Sequence, residues 1–508
     1  ATPSSGGVMS DRPRRALADD EEPEEIPEVR FVEESAIPAR RAAGSEDVSD
    51  QPTPHAARAM AQVPASGEDS CDELTEPDKK AGRYWKGPVW AVTLAVVALA
   101  MSLATSAIPP MQRSAVKVQP ISSGRTLVCP PSQGKASLAA GSSGGSLQVG
   151  TSVEKLSEAS VPVMTNVNTS AGYIRSTAGQ RRPSGSALSS EGGMTTWVPC
   201  IGAATGGAVS VTNPSTSDLV VVNSDIRAAT VDVTMLGSKG EIVTAGMRGI
   251  RVSPGQTKVL PMSVWDNGTT PVTALVNARE GRVVVGARMW AGQGRDTSAM
   301  TQAAKTLFLP AVPAKVSTAT LIISNPGTRR LSVSVTALAG RGPFTPDGAD
   351  EIDIDPRSTI QVDLSKALAG EGVGLRLSAD DPVIARLFVQ GKPGTTDNAL
   401  VSPGGSSKVL EQTVGAAGTL ELSNPGREAV TFSGELTGTH GEKTAIEGTV
   451  PAGSTWSGKV PAAGHLHIVG SAPLIGGVIS ASGLAVLPLE AVAAMTNGRS
   501  VDVDPQLR

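Results

Sequence analysis

The chain has 508 residues, of which 18% are charged and 3% are aromatic, and its formal net charge is −4. This length suggests several domains. The charge is uneven, because residues 1–78 contain 7 basic and 19 acidic residues, against 37 basic and 29 acidic residues in the remainder. The small positive excess after residue 78 includes no concentrated basic patch, so nothing indicates nucleic-acid binding.

The first segment, residues 1–86, is rich in Pro, Ala, Ser and Glu. Such a composition buries too little apolar surface to offset the entropy of ordering, which predicts a disordered acidic tail. A passive solvated tail and an acidic partner-binding segment are both compatible with this composition.

The second segment, residues 87–110, is predicted to be a transmembrane helix. No charge interrupts Val89 to Ile108, and 20 helical residues span about 30 Å, the hydrocarbon thickness of a bilayer. The helix should end at the Pro109-Pro110 pair. Cations flank only its N-terminal side, which predicts a cytoplasmic N-terminus and an extracytoplasmic C-terminal bulk. The alternatives are a secretory signal peptide, which would lie nearer the start, and a buried soluble helix.

The three cysteines fit this topology. Cys71 would lie in the reducing cytoplasm, whereas Cys129 and Cys200 would lie outside, where disulfides persist. A Cys129–Cys200 disulfide would stabilise the fold by on the order of 4 kcal/mol in the chain-entropy model. Two buried free thiols are the alternative, and no spacing typical of a metal site occurs.

Residues 111–200 are rich in Gly and Ser, and show only short strand candidates. We expect this disulfide-closed segment to dock on the first of three repeats that follow it. The predicted repeats cover residues 201–302, 303–402 and 403–490, and a C-terminal tail covers 491–508. Each contains an Asn-Pro turn, with prolines at Pro214, Pro326 and Pro425, about one domain length apart. A second turn recurs as SPGQT, DPRST and PAGST.

Alternating Val and Ile residues around these turns are typical of half-buried strands. Each Asn-Pro should form a corner between two strands, since Pro cannot donate to a central ladder. The fold class predicted is all-β, with tandem immunoglobulin-like β-sandwich repeats after one N-terminal transmembrane helix. We interpret the large aromatic side chains as core or interdomain fillers rather than a sugar-binding platform: Trp265, Trp290, Phe308, Phe344, Phe388, Phe432 and Trp456.

The order of these parts resembles an actinobacterial membrane-anchored family, the domain-of-unknown-function 5719 proteins. The likeness rests on Cys129-Pro130, on the segment from Trp197 to Cys200, and on Thr212-Asn213-Pro214-Ser215, and extends over roughly residues 85–490. The resemblance implies an envelope protein, often encoded near a glycosyltransferase, with no assigned activity. It transfers no catalytic residue.

Four histidines limit any catalytic interpretation: His55, His440, His465 and His467. His465 and His467 would share one face of a strand and could bind a metal with a third ligand, although two solvent-facing histidines are the simpler interpretation. Residues 141–145 match the G-x-S-x-G nucleophile elbow, but they lie in a Gly/Ser tract, so we attribute the match to chance. No phosphate-binding or dinucleotide-binding glycine motif occurs.

One acidic cluster could suggest calcium, but its spacing is not that of an EF-hand loop, so a solvated strand face is the simpler interpretation. Its members are Asp347, Asp350, Glu351, Asp353 and Asp355.

We therefore predict a non-enzymatic, single-pass cell-envelope protein without cofactor or metal, whose extracytoplasmic repeats scaffold or bind envelope proteins or glycans. The alternative is a glycan-binding accessory protein of a cell-surface glycosyltransferase system, with exposed Trp265, Trp290 or Trp456. A hydrolase or metal enzyme around His465 and His467 is a third hypothesis.

Overall fold

The computed structural model describes residues 126–492, apart from residues 144, 177–181, 293, 369 and 392–395. This part of the chain is all-β, as the alternating pattern predicted. Its helical elements are two short 3-10 turns, Pro214–Thr216 and Met262–Val264. None of the described helices has the length and apolarity needed to cross a bilayer. The predicted acidic tail, the predicted membrane span and most of the predicted C-terminal tail lie outside the described residues.

The strands form four consecutive units. Unit 1 covers residues 126–202, and its strands pair as two sheets, β4-β3-β6-β1-β9 and β5-β2-β7-β8. The strands are β1 (Thr126–Cys129), β2 (Ala136–Gly141), β3 (Ser146–Ser152), β4 (Lys155–Ser160), β5 (Val163–Asn168), β6 (Gly172–Arg175), β7 (Ser184–Glu191), β8 (Met194–Pro199) and β9 (Ile201–Gly202).

Unit 2 covers residues 206–299. Its sheets are β10-β16-β12-β13, with β14 also paired to β12, and β15-β11-β17-β18. The strands are β10 (Gly206–Val211), β11 (Ser217–Val222), β12 (Ala229–Gly237), β13 (Gly240–Ile242), β14 (Ile250–Val252), β15 (Thr257–Pro261), β16 (Val272–Glu280), β17 (Val284–Ala291) and β18 (Gly294–Ala299).

Unit 3 covers residues 304–401. One long strand, β25, crosses from the first sheet to the second, so it takes the place of two consecutive strands of units 1 and 2. The strands are β19 (Ala304–Val312), β20 (Thr318–Ser324), β21 (Leu331–Ala339), β22 (Gly342–Phe344), β23 (Ile352–Ile354), β24 (Thr359–Asp363), β25 (Val373–Gln390) and β26 (Asn398–Val401).

Unit 4 covers residues 407–491, and its strand β32 plays the same double part as β25. The strands are β27 (Ser407–Val414), β28 (Gly418–Ser423), β29 (Val430–Gly438), β30 (Lys443–Val450), β31 (Thr455–Val460), β32 (Gly464–Ser480), β33 (Val486–Pro488) and β34 (Glu490–Ala491).

All four units have the same strand order. We count β14 with β13, and β23 with β22, as one fourth strand, and we count β25 and β32 each as the sixth and seventh strands. The first sheet of every unit is then ordered 4-3-6-1 and the second 5-2-7-8. Side chains of both sheets contribute to one hydrophobic cluster in each unit, so the inner faces bury one another. Val, Leu, Ile, Met and Ala dominate these clusters, as the low aromatic content requires.

Unit 1 has more structure than the Gly/Ser-rich sequence indicated. Its core contains several alanines together with Cys129 and Cys200, in place of large side chains, and its two sheets pack closely. A Cβ at position 172 would lie 3.0 Å from the Leu138 side chain, and one at position 185 would collide with Ile174. Glycine and alanine therefore permit close packing here, although their low hydrophobicity conceals the strand pattern.

The Asn turns identify equivalent positions in the units. The Asn325 side-chain amide is buried, donates to the Arg329 and Ile354 carbonyl oxygens, and its oxygen accepts from the Gly327 amide. Asn424 makes the corresponding bonds in unit 4. Both join the second strand to the third, and form the corner that the Asn-Pro pattern predicted.

In unit 2 the equivalent residue is Asn223, not Asn213. Asn223 donates to the Arg227 and Val252 carbonyl oxygens and accepts from the Asp225 amide. Asn213 precedes a 3-10 turn between the first and second strands instead. The placement of Pro214 with Pro326 and Pro425 was therefore wrong, because the true counterpart turn contains no proline.

The four units close into a ring. Between units 2 and 3, the Thr359 hydroxyl donates to the Leu236 carbonyl, and between units 3 and 4 the Thr455 hydroxyl donates to the Leu338 carbonyl. In both cases the second sheet of the later unit covers the first sheet of the earlier one. Units 1 and 2 meet in the same way through an apolar cluster that includes Tyr173.

The last junction joins unit 4 back to unit 1. Ser184 on the second sheet of unit 1 lies 2.7 Å from Thr413 on the first sheet of unit 4. The eighth strands β8, β18, β26 and β33 contact one another in turn around the centre. A head-to-tail arrangement that returns to its start after four units is a closed ring.

Candidate binding site at the ring axis

A cavity of about 520 Å³ lies where the four units converge. After its eighth strand, each unit returns to pair with its own first strand, through β9, Thr301, Gly404 and β34. These four return segments form the wall of the cavity. The lining residues are Leu127, Arg182, Pro199, Ile201, Gly202, Ala299, Met300, Thr301, Gln302, Ser402, Pro403, Gly404, Gly405, Pro488, Leu489, Glu490 and Ala491.

The wall repeats in backbone but not in side chains. The four return segments carry different side chains at the cavity wall. Ile201 is apolar, Thr301 has a hydroxyl, Gly404 has no side chain and Glu490 is acidic. A cavity of this size is within the range of small-molecule sites. Its chemistry favours an asymmetric ligand, because the four sides offer different groups.

Two buried ionisable residues, Arg386 and Asp296, lie beside the cavity. The fully buried Arg386 donates to the Ser402 hydroxyl and the Ala299 carbonyl, and both of those residues line the cavity. Burial lowers the pKa of Arg386 to about 10, and burial raises the pKa of Asp296 to about 8. Asp296 accepts from the Leu400 and Thr297 amides, so it joins the eighth strands of units 2 and 3.

Asp397 ties three units together at the other end of the eighth strands. Its carboxylate accepts from the amide of Thr195 in unit 1 and from the amide of Leu484 in unit 4. Burial raises the pKa of this carboxyl, while these amide bonds oppose the rise. We infer a structural role, because the carboxylate caps strand ends rather than a cavity.

A second cavity, of about 620 Å³, adjoins the axial cavity between units 1 and 2. We call it the arginine groove. It shares Leu127, Arg182 and Gly202 with the axial cavity, so the two cavities are adjacent. The groove is lined by Thr126, Leu127, Val153, Arg175, Arg182, Gly202, Ala203, Ser224, Asp225, Ile226 and Arg282.

The predicted disulfide is present: Cys129 is bonded to Cys200. It joins the end of β1, in the first sheet of unit 1, to the residue that follows β8, in the second sheet. The bond therefore fixes the start of the return segment that contains Ile201, and it supports one side of the axial cavity.

The structure places His465 and His467 beside a carboxylate. His467 Nδ1 lies 2.7 Å from Glu411 Oε1, while buried His465 contacts the hydroxyls of Thr413 and Ser184. Burial lowers the pKa of His465 to about 4. Burial would raise the pKa of Glu411, but bonds from His467 and Ser143 hold it below its usual range.

This cluster has no metal-site geometry. Among the described residues, no group of three or more His, Cys, Asp or Glu side chains could hold a metal ion. The ring of His465 turns into the junction between units 1 and 4, so the expectation that both histidines face solvent was wrong for this residue. His440 is exposed in the turn between β29 and β30 of unit 4, and His55 lies outside the described residues.

The G-x-S-x-G match is the turn between β2 and β3, so no helix follows its serine. Ser143 donates to Glu411 Oε1 over 2.8 Å, and Glu411 in turn contacts His467. A nucleophilic triad needs histidine between serine and carboxylate. Here the carboxylate lies between the other two groups, so the arrangement does not activate the serine.

The acidic cluster in unit 3 is a paired strand face. Asp353 is exposed between the buried Ile352 and Ile354, and it accepts from Arg330 over 2.9 Å. Asp355 lies 3.8 Å from the same arginine. These contacts agree with a solvated face on β23.

The tryptophans form no common platform. Trp265 is buried in unit 2, and Trp456 packs edge-on against Phe432 with ring centroids 4.9 Å apart. Trp290 is 38% exposed at the end of β17. Sequence reasoning missed the arginine groove, since its three arginines lie in separate loops and strands and share no motif.

Four repeated β units arranged as a ring around an axial cavity define the class of this protein as an all-β repeat protein. Residues 205–461, just over half of the chain, match the family of unknown function DUF5719, so the chain belongs to that family. No curated protein matches it.

Among solved structures, the chain is similar to a tetra-tandem repeat in the extending region of a large adhesion protein. The two are 12% identical, and the alignment covers 70% of this chain and 90% of that chain, with a TM-score of 0.11. A similarity at this level supports no argument about fold or function.

Proposed function

We propose that this chain is a non-enzymatic, single-pass cell-envelope protein that binds an envelope component in the axial cavity. The observation that carries the proposal is that all four units contribute a return segment to one cavity of about 520 Å³. Closing four units around an axis brings together residues from distant parts of the chain, and the differing side chains suit recognition of one asymmetric ligand.

The proposal includes the membrane topology that the sequence predicts. The acidic residues 1–86 would be cytoplasmic, the segment 87–110 would cross the bilayer, and the ring would be extracytoplasmic. The disulfide supports this placement, because such bonds persist in oxidising compartments. The anchor would raise the local concentration of the ring near other envelope components.

Each unit is proposed to be a β-sandwich related to the immunoglobulin-like folds. Strand 2 pairs with strand 5 and strand 3 with strand 6, which corresponds to the B–E and C–F pairs of that fold. The first strand lies beside the sixth, where immunoglobulin domains place the last strand. Unit 1 adds a fourth such sandwich to the three repeats expected from the sequence.

A glycan-binding accessory role is the second candidate, favoured by the exposed Trp290 and by the uncharged polar side chains Thr301, Gln302 and Ser402 of the axial cavity. An indole face can stack on a sugar ring, but Trp290 lies outside the cavity residues. In this version the ligand of the cavity is a saccharide.

Site-specific photo-crosslinking from the intact chain in its native membrane tests the proposal. Gly202 is the best position, because a Cβ there meets nothing within 4 Å and points into open space at the cavity wall. Gly370 in unit 3 is the matched control, with equally open space and no cavity contact. We expect an envelope component to be captured from position 202 and not from position 370.

A blocking variant sharpens the test. Gly202→Trp should fill the cavity and abolish capture by a crosslinker placed at Gln302, whereas Gly370→Trp should not. If the captured molecules were exclusively cytosolic, or if Gly202→Trp left capture unchanged, the proposal would be wrong.

A further inference from the structure

The arginine groove concentrates positive charge between units 1 and 2. Arg175 comes from β6, Arg182 from the start of the segment leading to β7, and Arg282 from the turn before β17. Asp225 is the one carboxylate among the lining residues of the groove. Three guanidinium groups against one carboxylate leave the groove with an excess of two positive charges.

The contacts of these arginines within the described chain are long. Arg282 lies 4.0 Å from Asp225, and Arg182 lies 3.8 Å from Glu490, which is also engaged elsewhere. Arg175 Nε contacts the Thr126 hydroxyl at 3.4 Å. Each guanidinium has five N–H donors in a planar fork, so most of these donors remain available to a ligand.

The available donors favour a phosphate group. Arginine binds phosphate through pairs of parallel hydrogen bonds, and three arginines from different elements around one groove match an anion with several oxygens better than a planar carboxylate. Arg182 is 37% exposed and Arg282 is 64% exposed, so the groove is accessible from solvent.

The remainder of the ligand is inferred from the adjacency of the two cavities, which share Leu127, Arg182 and Gly202. Next to Arg182 and Gly202, the axial cavity is lined by the hydroxyls of Thr301 and Ser402 and by the amide of Gln302. The Gln302 NH2 donates to the Gly206 carbonyl and the Ser402 hydroxyl accepts from Arg386, so the Gln302 oxygen and the Ser402 proton remain for a ligand. These uncharged polar groups suit a ligand rich in hydroxyls. An elongated molecule could therefore place an anionic end in the groove and a polar, uncharged body at the ring axis.

We propose that the arginine groove binds the phosphate of a phosphorylated saccharide whose sugar portion extends into the axial cavity. This inference rests on the proposed function, since it names the class of ligand for the same composite site. It assigns Arg175, Arg182 and Arg282 as the phosphate-binding residues.

Calorimetric titration of the full chain in nanodiscs tests the proposal, with a disaccharide 1-phosphate as the probe. Arg282→Gln should weaken binding about tenfold, which corresponds to the loss of one charge-assisted contact. Arg330→Gln is the matched control, because Arg330 is 63% exposed and lies on unit 3. The control should change the affinity less than twofold, and wild-type binding should weaken as salt increases.

Three further probes distinguish the sources of the phosphate. The unphosphorylated disaccharide should bind much more weakly, inorganic phosphate should bind more weakly than the sugar phosphate, and phosphatidylglycerol vesicles should not compete. If inorganic phosphate bound as tightly as the sugar phosphate, the saccharide part of the proposal would be wrong. If only the vesicles bound, the groove would be assigned to a lipid headgroup instead.

The outcomes also separate this inference from the proposed function. Equal binding of both disaccharides, unaffected by Arg282→Gln but lost in Gly202→Trp, would refute the phosphate assignment and leave the axial site intact. Binding of the sugar phosphate that survives Gly202→Trp would contradict the axial site itself.

Discussion

The junctions of the ring are of two kinds. Units 2 and 3, and units 3 and 4, are joined by a linker, and Thr359 and Thr455 each donate to a carbonyl of the preceding unit. A part-buried ion pair between Arg357 and Glu241 also joins units 2 and 3. The closing junction between units 4 and 1 has no linker across it and contains ionisable groups, including buried His465 and Glu411. At both kinds of junction, the second sheet of one unit covers the first sheet of its neighbour.

The difference shows how the lack of a covalent link is offset. A linker keeps neighbouring units at high effective concentration, so their interface needs few specific contacts. The closing junction must be stable through its own contacts, and Trp197 of unit 1 inserts into the hydrophobic cluster of unit 4. Because no linker holds units 4 and 1 together, the closing junction is the place where the ring should open first.

The largest effect should follow the removal of this anchor. Trp197→Ala deletes a buried indole that packs in the unit 4 cluster and donates to the Ser186 hydroxyl. We expect the free energy of unfolding to fall by up to about 5 kcal/mol, measured by chemical denaturation. Trp290→Ala, at an exposed site, should change it by less than about 1 kcal/mol. Equal losses in both variants would contradict the role of Trp197 as an anchor.

Removal of the disulfide should have the next largest effect. Cys129 and Cys200 are 71 residues apart, and opening a loop of this length costs about 4 kcal/mol in the chain-entropy model. In the Cys129→Ser, Cys200→Ser double variant, amide hydrogen exchange should accelerate relative to wild type. The acceleration should be larger in β7 and β27, at the closing junction, than in β20 and β24 of unit 3. Uniform acceleration across all four units would show that the closing junction is not selectively weakened.

Acidification should weaken the closing junction through His465. Its pKa is lowered by burial from 6.5 to about 4, so the unfolded chain takes up a proton before the folded chain does. Stability should therefore fall as the pH falls from 6.5 to 4, by about 3 kcal/mol at most. The unfolding free energy of the His465→Gln variant should lack this component, while that of an exposed-site control, His440→Gln, should keep it.

Other ionisable groups also change the unfolding free energy over this pH range, so the measurement must separate them from His465. Glu411, His467, Thr413 and Ser184 face it from both units, and Glu411 also loses its stabilising contribution as pH falls, because its folded pKa is lowered. Burial raises the pKa of Asp296, Asp397 and Glu421, so these carboxyls contribute in the opposite direction. The difference between wild type and His465→Gln across pH reports His465 together with its electrostatic coupling to Glu411.

The smallest effect should come from a linked junction. Thr455→Val removes the hydroxyl that donates to the Leu338 carbonyl and accepts from the Gly374 amide. We expect a loss of about 1 to 2 kcal/mol, since buried partners are left unpaired. Thr413→Val at the closing junction should cost more, because Thr413 is fully buried with Ser184 and His465 against its hydroxyl. Thr455 is only half-buried, although Ser423 also contacts its hydroxyl. A larger loss for Thr455→Val would reverse the ranking of the junctions.

Much of the fold was accessible from local sequence. Alternating residues in VSVTAL and EIDID predicted strands, and Asn325 and Asn424 predicted corners, because an Asn side chain that bonds its own backbone is a local interaction. The first copy was misaligned, since the Asn223 turn has no proline and Asn213-Pro214 imitates the motif. Unit 1 was understated because alanine and glycine pack well without giving a strong hydrophobic pattern.

The candidate site could not be predicted in the same way. Ile201, Thr301, Gly404 and Glu490 become neighbours only because four return segments meet on one axis. Arg175, Arg182 and Arg282 lack any common spacing, and the contact of Ser143 with Glu411 links residues 268 positions apart. No periodic pattern encodes such contacts.

The sequence by itself determined the all-β class and the corner turns at Asn325 and Asn424, because these depend on residue type and on side chains close in the chain. The tertiary structure alone decided that the units close into a ring, which residues line its axis, and that His465 is buried at the closing junction. Those features depend on which sheet faces cover one another, and that choice is made by packing over the whole ring.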